Sequence, residues 1–334
     1  MAVDIVVGGF WGDEGKGKII SYLVKKRKPS IVARGGVGPN AGHTIIVEGK
    51  VYKLRMVPSA IGGKEVEKFL IGPGVLVNTE VFLQEVSTTD IEGKAFVDPQ
   101  CGIITEKHRK IDTTDAHLAK KIGTTGSGSG PANEERVRRS LTLAKDIDEL
   151  KPYIIDVPGE IHKALLKGDS VLLEGTQATY LSLFHGTYPF VTTKDVTASA
   201  ICSDVGIGPT AVTDVTIVFK AYVTRVGKGF LPDELSEDET IKRGWSEYGT
   251  VTKRLRRAAP FNVELAKRSI QLNSATRVAV TKLDVLFPLD RGKTSFDGLT
   301  EEAKNWVYKI EKDLGMKVHF IGTGPADMEI IDRE

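Results

Sequence analysis

"VDIVVGGFWGDEGKGKII" occupies residues 3–20, and its reading decides the fold. A short apolar run enters a glycine-rich turn, after which Ile19, Ile20, Leu23 and Val24 recur at helical spacing. Lysine-rich residues 25–28 and then Pro29 supply a cationic helix end and a stop. "SIVARGG" (30–36) reads as the next strand, so the opening forms a β-α-β unit and implies a parallel sheet.

Working outward, "HTIIVEGKVYKLRMV" (43–57) predicts a hairpin turning at Glu48-Gly49-Lys50. Further apolar runs at 69–77, 170–175, 215–227, 276–286 and 317–324 end in glycine or polar residues, as sheet strands feeding ligand loops do. Helical periods separate some of them, at 159–168 and 262–273. Residues 123–136 and 232–257 read as flexible. The expectation is one α/β domain over residues 1–334. Its central sheet is mostly parallel, of the P-loop NTPase kind, and it carries long functional loops.

Bulk properties narrow the function. With 46 Lys/Arg against 44 Asp/Glu the net charge is only +2, so nothing advertises a nucleic-acid surface. Cys101 and Cys202 stand far apart and suggest neither a disulfide framework nor a zinc site. No signal-peptide pattern opens the chain, and no apolar run approaches the ~20 residues of a membrane span. A cytoplasmic protein with no membrane partner is expected.

Gly12 to Lys18 matches G-x-x-x-x-G-K, the frame of a phosphate-binding loop. Ile19 follows, where such loops usually carry a magnesium-binding Ser or Thr, and two acids, Asp13 and Glu14, sit inside. A carboxylate repels a triphosphate unless a metal lies between them or the carboxylate takes a proton there. The plainer alternative is that both acids face solvent or cap the helix. A second glycine cluster, "ARGGVGPNAGHT" (33–44), places Asn40, Gly42 and His43 on the neighbouring loop. Asp13 and His43 then form a base–acid pair suited to proton transfer coupled to phosphoryl transfer, unless His43 is merely a loop histidine.

Two more signals are weaker alone. "TKLD" (281–284) is similar to the guanine-binding N-K-x-D of GTPases, with Asp284 able to accept from guanine N1–H and its 2-amino group. It also reads as a strand-end Lys/Asp pair. "TKRLRR" (252–257) offers Arg254, Arg256 and Arg257 as forks for carboxylates or phosphates, or simply a solvated basic face.

Together, "WGDEGKGK" and "NAGHT" resemble adenylosuccinate synthetase. Further stretches of that family follow in order: "GTTG.G.GP" (123–131), "EGTQ" (174–177), "HGTYPFVT" (185–192), "AYVTRVG.G" (221–229), "GTVTKRLRR" (249–257), "QLNS" (271–274), "TKLD" and "GTGP" (322–325). The chain is similar to a short form, with less sequence around 145–160 and 285–300. The resemblance implies GTP-dependent ligation of IMP and L-aspartate to adenylosuccinate, GDP and phosphate through 6-phosphoryl-IMP, in the AMP branch of purine synthesis. The alternative is a regulatory GTPase without ligase activity, but Ile19 contradicts it and it leaves His43 and the arginines idle.

By the same resemblance Asp13 is the base, His43 the acid, and Gln177 lies near the 6-oxygen. IMP would meet Asp13, Glu14, Gly15, Lys16, Asn40, Ala41, Gly42, His43, Thr125, Gln177, Thr192, Val226 and Arg254. Arg139 would reach the neighbouring subunit's IMP in a homodimer. GTP would meet Gly12, Asp13, Glu14, Gly15, Lys16, Gly17, Lys18, Gly42, His43, Thr44 and Arg256, with Lys282, Leu283, Asp284, Gly322, Thr323 and Gly324 at the base end. L-Aspartate would meet Thr250, Val251, Thr252, Lys253, Arg254, Leu255 and Arg256, and Mg2+ would meet Asp13 and Gly42. The family pattern near 251–257 is T-T-G-R-R-R-R, from which Val251, Lys253 and Leu255 depart. Ser127 and Ser129 stand where relatives often carry Arg and Ile.

Overall fold

Strand β1 (Val3–Gly8) is buried along its whole length, as expected of a strand covered on both faces of a parallel sheet. Its side chains divide between two cores: Ile5 and Val7 face one, Val6 the other. The computed structural model describes residues 2–248 and 256–334.

The strands that follow are β2 (Ile31–Arg34), β3 (His43–Val47), β4 (Lys50–Leu54), β5 (Lys68–Ile71), β6 (Leu76–Val77), β7 (Ala95–Val97) and β8 (Gly102–Ile103). Then come β9 (Val171–Glu174), β10 (Asp214–Lys220), β11 (Tyr222–Arg225), β12 (Arg257–Pro260), β13 (Arg277–Thr281), β14 (Val318–Gly322) and β15 (Ile330–Asp332). The central sheet has nine strands in the order β15-β14-β13-β10-β1-β9-β2-β5-β7, all parallel except the edge strand β15. Helix α1 (Lys16–Arg27) packs Ile19, Ile20, Leu23 and Val24 on one face of the sheet. Helix α2 (Thr79–Thr88) joins that face through Phe82 and Val86. Helices α3 (Glu106–Thr114) and α4 (Ser129–Arg138) pair beside the sheet. The opposite face is covered by α5 (Val157–Leu166), α6 (Ala198–Val205), α8 (Val263–Asn273) and α10 (Glu301–Leu314), while α7 (Glu237–Lys242) and α9 (Leu283–Leu286) are short. No described helix is long and apolar enough to cross a membrane.

The β-α-β opening, the β3–β4 hairpin and the α/β class are as the sequence indicates. Two apolar runs each prove to be two strands. Run 69–77 breaks at Gly72-Pro73-Gly74, leaving β5 in the main sheet and β6 in a small ladder with β8. Run 215–227 breaks at Ala221, sending β11 into an antiparallel pair with β12. The stretch expected to be flexible at 123–136 contains the start of α4, entered through Gly128 at φ 83°, whose N–H donates to Asp112 Oδ2. In 232–257, Ser236 accepts from Glu239 N–H and nucleates α7.

Candidate functional site

The loops after β1, β2, β9, β13 and β14 leave the carboxyl ends of strands, where open α/β sheets bind ligands, whereas Thr125 precedes α4 and Arg139 caps its C-terminal end. The loop after β1 lies centrally. On one side, β9 and β2 feed residues 175–177 and 35–43; on the other, β13 and β14 feed 282–284 and 323–324.

The two loop acids take opposite roles. Glu14 is buried: its Oε1 accepts from the N–H groups of Phe10 (3.1 Å) and Gly12 (2.7 Å), and its Oε2 accepts from Lys16 Nζ at 3.0 Å. Its backbone carbonyl accepts from Thr281 Oγ1 at 2.6 Å, tying the loop to the strand that ends in "TKLD". Asp13 instead takes a left-handed backbone, φ 63°, and lines the cavity. Aspartate tolerates that conformation better than most residues. Arg256 Nη2 lies 2.7 Å from Asp13 Oδ2.

Gly15 caps α1 at φ 86°, and Gly17 permits a close approach: a Cβ there would meet His43 Cβ at 2.9 Å. The first helical turn and His43 therefore pack directly. Lys16 lines the cavity. Lys18, matched by sequence to the phosphate-binding lysine, donates instead to the carbonyls of Gly324 (2.5 Å) and Glu329 (2.7 Å). Burial lowers its pKa to about 8, against the opposing pull of Glu329, Asp284 and Asp327. It braces the "GTGP" loop.

His43 Nδ1 is held by a short hydrogen bond to Glu174 Oε1. Glu174 ends β9 and is fully buried; it also accepts from Ser59 N–H (2.6 Å) and Ser59 Oγ (2.8 Å), and Arg34 Nη1 lies 3.5 Å away. Burial works against its charge, but His43, Arg34 and Ser59 outweigh it and hold the carboxyl down to about 2. Burial pulls the His43 pKa below the ordinary histidine value, with Glu174 pulling the other way. Arg34 Nη2 donates to Ala41 O at 2.9 Å and so shapes the "NAGHT" loop. A carboxylate that fixes Nδ1 leaves Nε2 as the imidazole's working nitrogen.

These residues border a cavity of about 380 Å³ lined by Trp11, Asp13, Lys16, Asn40, His43, Thr125, Gln177, Thr192 and Val226, with Ala41 and Gly42 in its wall. Gln177 Nε2 donates to Asn40 Oδ1 at 3.0 Å, and Asn40 Nδ2 to Thr192 Oγ1 at 3.4 Å, forming one polar rail. Thr125, Ser127 and Ser129 link hydroxyl to hydroxyl at 2.9 and 3.1 Å. Arg139, at the C-cap of α4, is exposed and does not line this cavity.

On the other flank, Asp284 follows Lys282, whose φ is 63°. Asp284 Oδ1 is buried with no hydrogen-bond partner among the described residues, an acceptor without its donor there. Leu283 is buried beneath it, Gly322 ends β14, and Thr323 Oγ1 donates to Lys293 O at 2.7 Å. Thr44, the second residue of β3, points to solvent. Of the arginine segment, Thr250, Val251, Thr252, Lys253, Arg254 and Leu255 lie outside the described residues.

Sequence reasoning assigned no role to Glu174 or Glu247. Glu247 Oε2 accepts from Lys220 Nζ (2.8 Å) and Arg256 Nη1 (2.5 Å), and Tyr222 OH donates to its Oε1. Burial opposes its charge, yet Lys220, Lys282 and Arg256 hold its carboxyl down to about 2. The available signal for Glu174 was an acid ending the wholly apolar run "VLL".

A family model described as adenylosuccinate synthetase matches residues 5–147 and 141–293. A curated adenylosuccinate synthetase from Methanocaldococcus jannaschii is 54% identical over 331 residues, covering 98% of this chain and 96% of that one. One from Archaeoglobus fulgidus is 52% identical over 332 residues, covering 99% and 98%. The solved structure of fully ligated adenylosuccinate synthetase from Plasmodium falciparum superposes with a TM-score of 0.92 at 26% identity, covering 100% of both chains.

Proposed function

The chain belongs to the adenylosuccinate synthetase family, and from that premise we propose how Asp13, His43 and Gln177 run its reaction. The enzyme is a GTP-dependent ligase that joins IMP to L-aspartate. IMP's 6-oxygen is a poor nucleophile while N1 keeps its proton. Asp13, on the cavity wall, takes that proton as the oxygen attacks the γ-phosphorus. Gln177, on the rail with Asn40 and Thr192, holds the 6-oxygen in line. His43, fixed at Nδ1 by Glu174, takes a proton on Nε2 when the anionic phosphates arrive and offset the burial that keeps the resting ring neutral, and it offers that proton to the charge that develops toward the GDP leaving group. The amine of L-aspartate then displaces phosphate at C6.

The single observation that carries this assignment is the placement of Asp13 and the His43–Glu174 pair on one cavity, between the two flanking loop sets. Asp284, whose buried Oδ1 has no partner among the described residues, is the guanine acceptor, and Lys282 lays its stem along the base. Arg256, Arg254 and Thr252 bind L-aspartate.

A Mg2+ carried on nucleotide phosphates needs only one or two protein oxygens. The Asp13 carboxylate and the Gly42 carbonyl, both on the cavity wall, fit that demand once Arg256 yields Asp13. When bound, the ion neutralises phosphate charge and lets a carboxylate lie among the oxygens.

Arg139, exposed and turned from its own cavity, supports a homodimer in which it reaches the neighbouring IMP phosphate. Two free, buried cysteines suit a reducing cytoplasm. The test is phosphate release from GTP and Mg2+ with IMP or L-aspartate omitted in turn, read beside adenylosuccinate absorbance. Release that requires both substrates is expected. Release indifferent to them would overturn the assignment.

A further inference from the structure

Helix α1 begins in the phosphate loop, and one of its faces grips a loop from the far end of the chain. Lys18, Ser21 and Lys25 recur at i, i+3 and i+7, so they stand in a row along the helix. Lys18 Nζ donates to the carbonyls of Gly324 (2.5 Å) and Glu329 (2.7 Å). Ser21 Oγ donates to Asp327 Oδ2 at 2.8 Å, and Lys25 Nζ pairs with that same oxygen at 2.5 Å. Lys18, Ser21 and Asp327 are all buried, so the grip is internal to the fold.

The gripped loop, 323–329, is also closed on itself. The Glu329 carbonyl that Lys18 holds accepts from Thr323 N–H at 3.0 Å, and Glu329 Oε2 accepts from Ala326 N–H at 2.7 Å. Asp327 N–H donates to Ile46 O of β3 at 3.0 Å. The approach to the loop lies against the "TKLD" motif: a Cβ on Gly322 would meet Thr281 Cα at 3.3 Å and Lys18 Nζ at 3.5 Å. Three pieces therefore converge on Lys18: the phosphate loop, the end of β13 that leads to Asp284, and the 323–329 loop.

We propose that Lys18 and Asp327 are positioning residues for the guanine base: by clamping loop 323–329 to α1 they hold it in register with Asp284. The inference rests on the proposed assignment of Asp284 and residues 322–324 to guanine. A carboxylate tells one purine edge from another only when the base arrives at a fixed depth and angle. The clamp fixes both against the triphosphate, because α1 presents the phosphate loop at one end and holds the base-end loop along its side. The spacing of G-x-x-x-x-G-K would instead put Lys18 on the phosphates. The two roles separate by nucleotide. A phosphate contact stabilises every nucleoside triphosphate alike. A clamp that registers the base separates GTP from ITP, which has the same phosphates and 6-oxygen but lacks the 2-amino group.

The experiment measures adenylosuccinate formation at saturating IMP and L-aspartate, with kcat and KM for GTP and for ITP. Wild type is compared with Lys18→Met, Asp327→Ala and the milder Ser21→Ala, with melting temperatures alongside. Asp327 and Ser21 lie outside the phosphate loop, so they carry the test should Lys18→Met fail to fold. Lower stability alone removes active enzyme and leaves the ratio of the two kcat/KM values unchanged. The expected result is a KM for GTP raised about tenfold in Lys18→Met and about threefold in Asp327→Ala, with a smaller rise for ITP. The preference for GTP over ITP then narrows in both variants, and by a lesser factor in Ser21→Ala, while the KM for IMP stays within about twofold of wild type. A wild-type preference retained in Asp327→Ala, or GTP and ITP weakened in equal proportion in Lys18→Met, would overturn the proposal. A wild type that uses GTP and ITP equally would indict the guanine assignment of Asp284 rather than the clamp.

Discussion

Replacing Glu174 by Gln changes one charge and almost no volume, and three of its contacts respond. A glutamine that keeps its carbonyl toward His43 turns its amide N–H toward the Ser59 N–H, setting two donors against each other where the carboxylate had accepted at 2.6 Å. A buried unsatisfied donor costs about 1–3 kcal/mol. Arg34, fully buried, loses the negative partner at 3.5 Å. The titration of Glu174 points the same way: its carboxyl, ordinarily at 4.5, is held down to about 2 in the fold, so its charge stabilises the protein at neutral pH. A loss of about 1–3 kcal/mol in a chain of 334 residues is a fall in melting temperature of about 1–4 °C. The sign with pH follows: the folded value is the lower one, so this stabilisation is complete above about 4.5 and lost as pH falls toward 2. Wild type should therefore show a steeper acid loss than Glu174→Gln. Activity should fall further than stability, since an imidazole freed from its orienting carboxylate forfeits the ~10²–10⁴-fold typical of a positioned acid. Saturating kcat for adenylosuccinate formation, measured well below the variant's melting temperature with IMP binding checked by calorimetry, reads this directly. A folded Glu174→Gln enzyme with kcat within threefold of wild type would refute the view that Glu174 positions His43.

Asp13→Asn should preserve the fold, because the ion pair that Asp13 makes with Arg256 is partly exposed, and should abolish turnover; near-normal kcat would remove Asp13 as the base. Asp284→Asn should raise the KM for GTP by about 10²-fold or more, since a site built around two donors loses its acceptor. Partial recovery with xanthosine triphosphate, whose base presents an acceptor there, is the matching signature, and an unchanged GTP preference contradicts the guanine assignment. Arg139→Leu should raise the KM for IMP while leaving that for GTP unchanged. Mixing it with an inactive Asp13→Asn chain should restore normal IMP affinity at some sites if the two chains share them, and show no recovery if each site is self-contained.

What could be read in the sequence was whatever local order encodes. The β1–loop–α1 unit, the β3–β4 hairpin and residues Asp13, His43 and Gln177 lie inside contiguous motifs whose glycine spacing and apolar period carry their own meaning. The partners that tune those residues do not. Glu174 meets His43 across 131 positions because β9 inserts between β1 and β2, and no spacing rule in a single chain reports that insertion. Lys18 fitted the phosphate frame by count, yet the loop's extra acids shift the cavity-facing lysine to Lys16 and leave Lys18 to the β14 loop. The split of run 215–227 into two sheets was hidden for a related reason. Apolar content marks burial, and both β10 and β11 are buried, but it does not mark which neighbour a strand pairs with.

Two acids in a phosphate loop present one electrostatic problem with two solutions. Glu14 is neutralised from within: two loop N–H groups and Lys16 consume its charge, and its burial keeps that arrangement whether or not substrates are present. Such a carboxylate shapes the loop, with its three hydrogen bonds turned inward and its side chain off the cavity wall. Asp13 is balanced by Arg256, a residue from the far end of the chain whose other guanidinium nitrogen is tethered elsewhere. That partner can be exchanged without dismantling the loop, so Asp13 alone can pass from an ion pair to a proton acceptor when anionic substrates compete for Arg256. The chemistry falls on the acid whose counter-ion is borrowed.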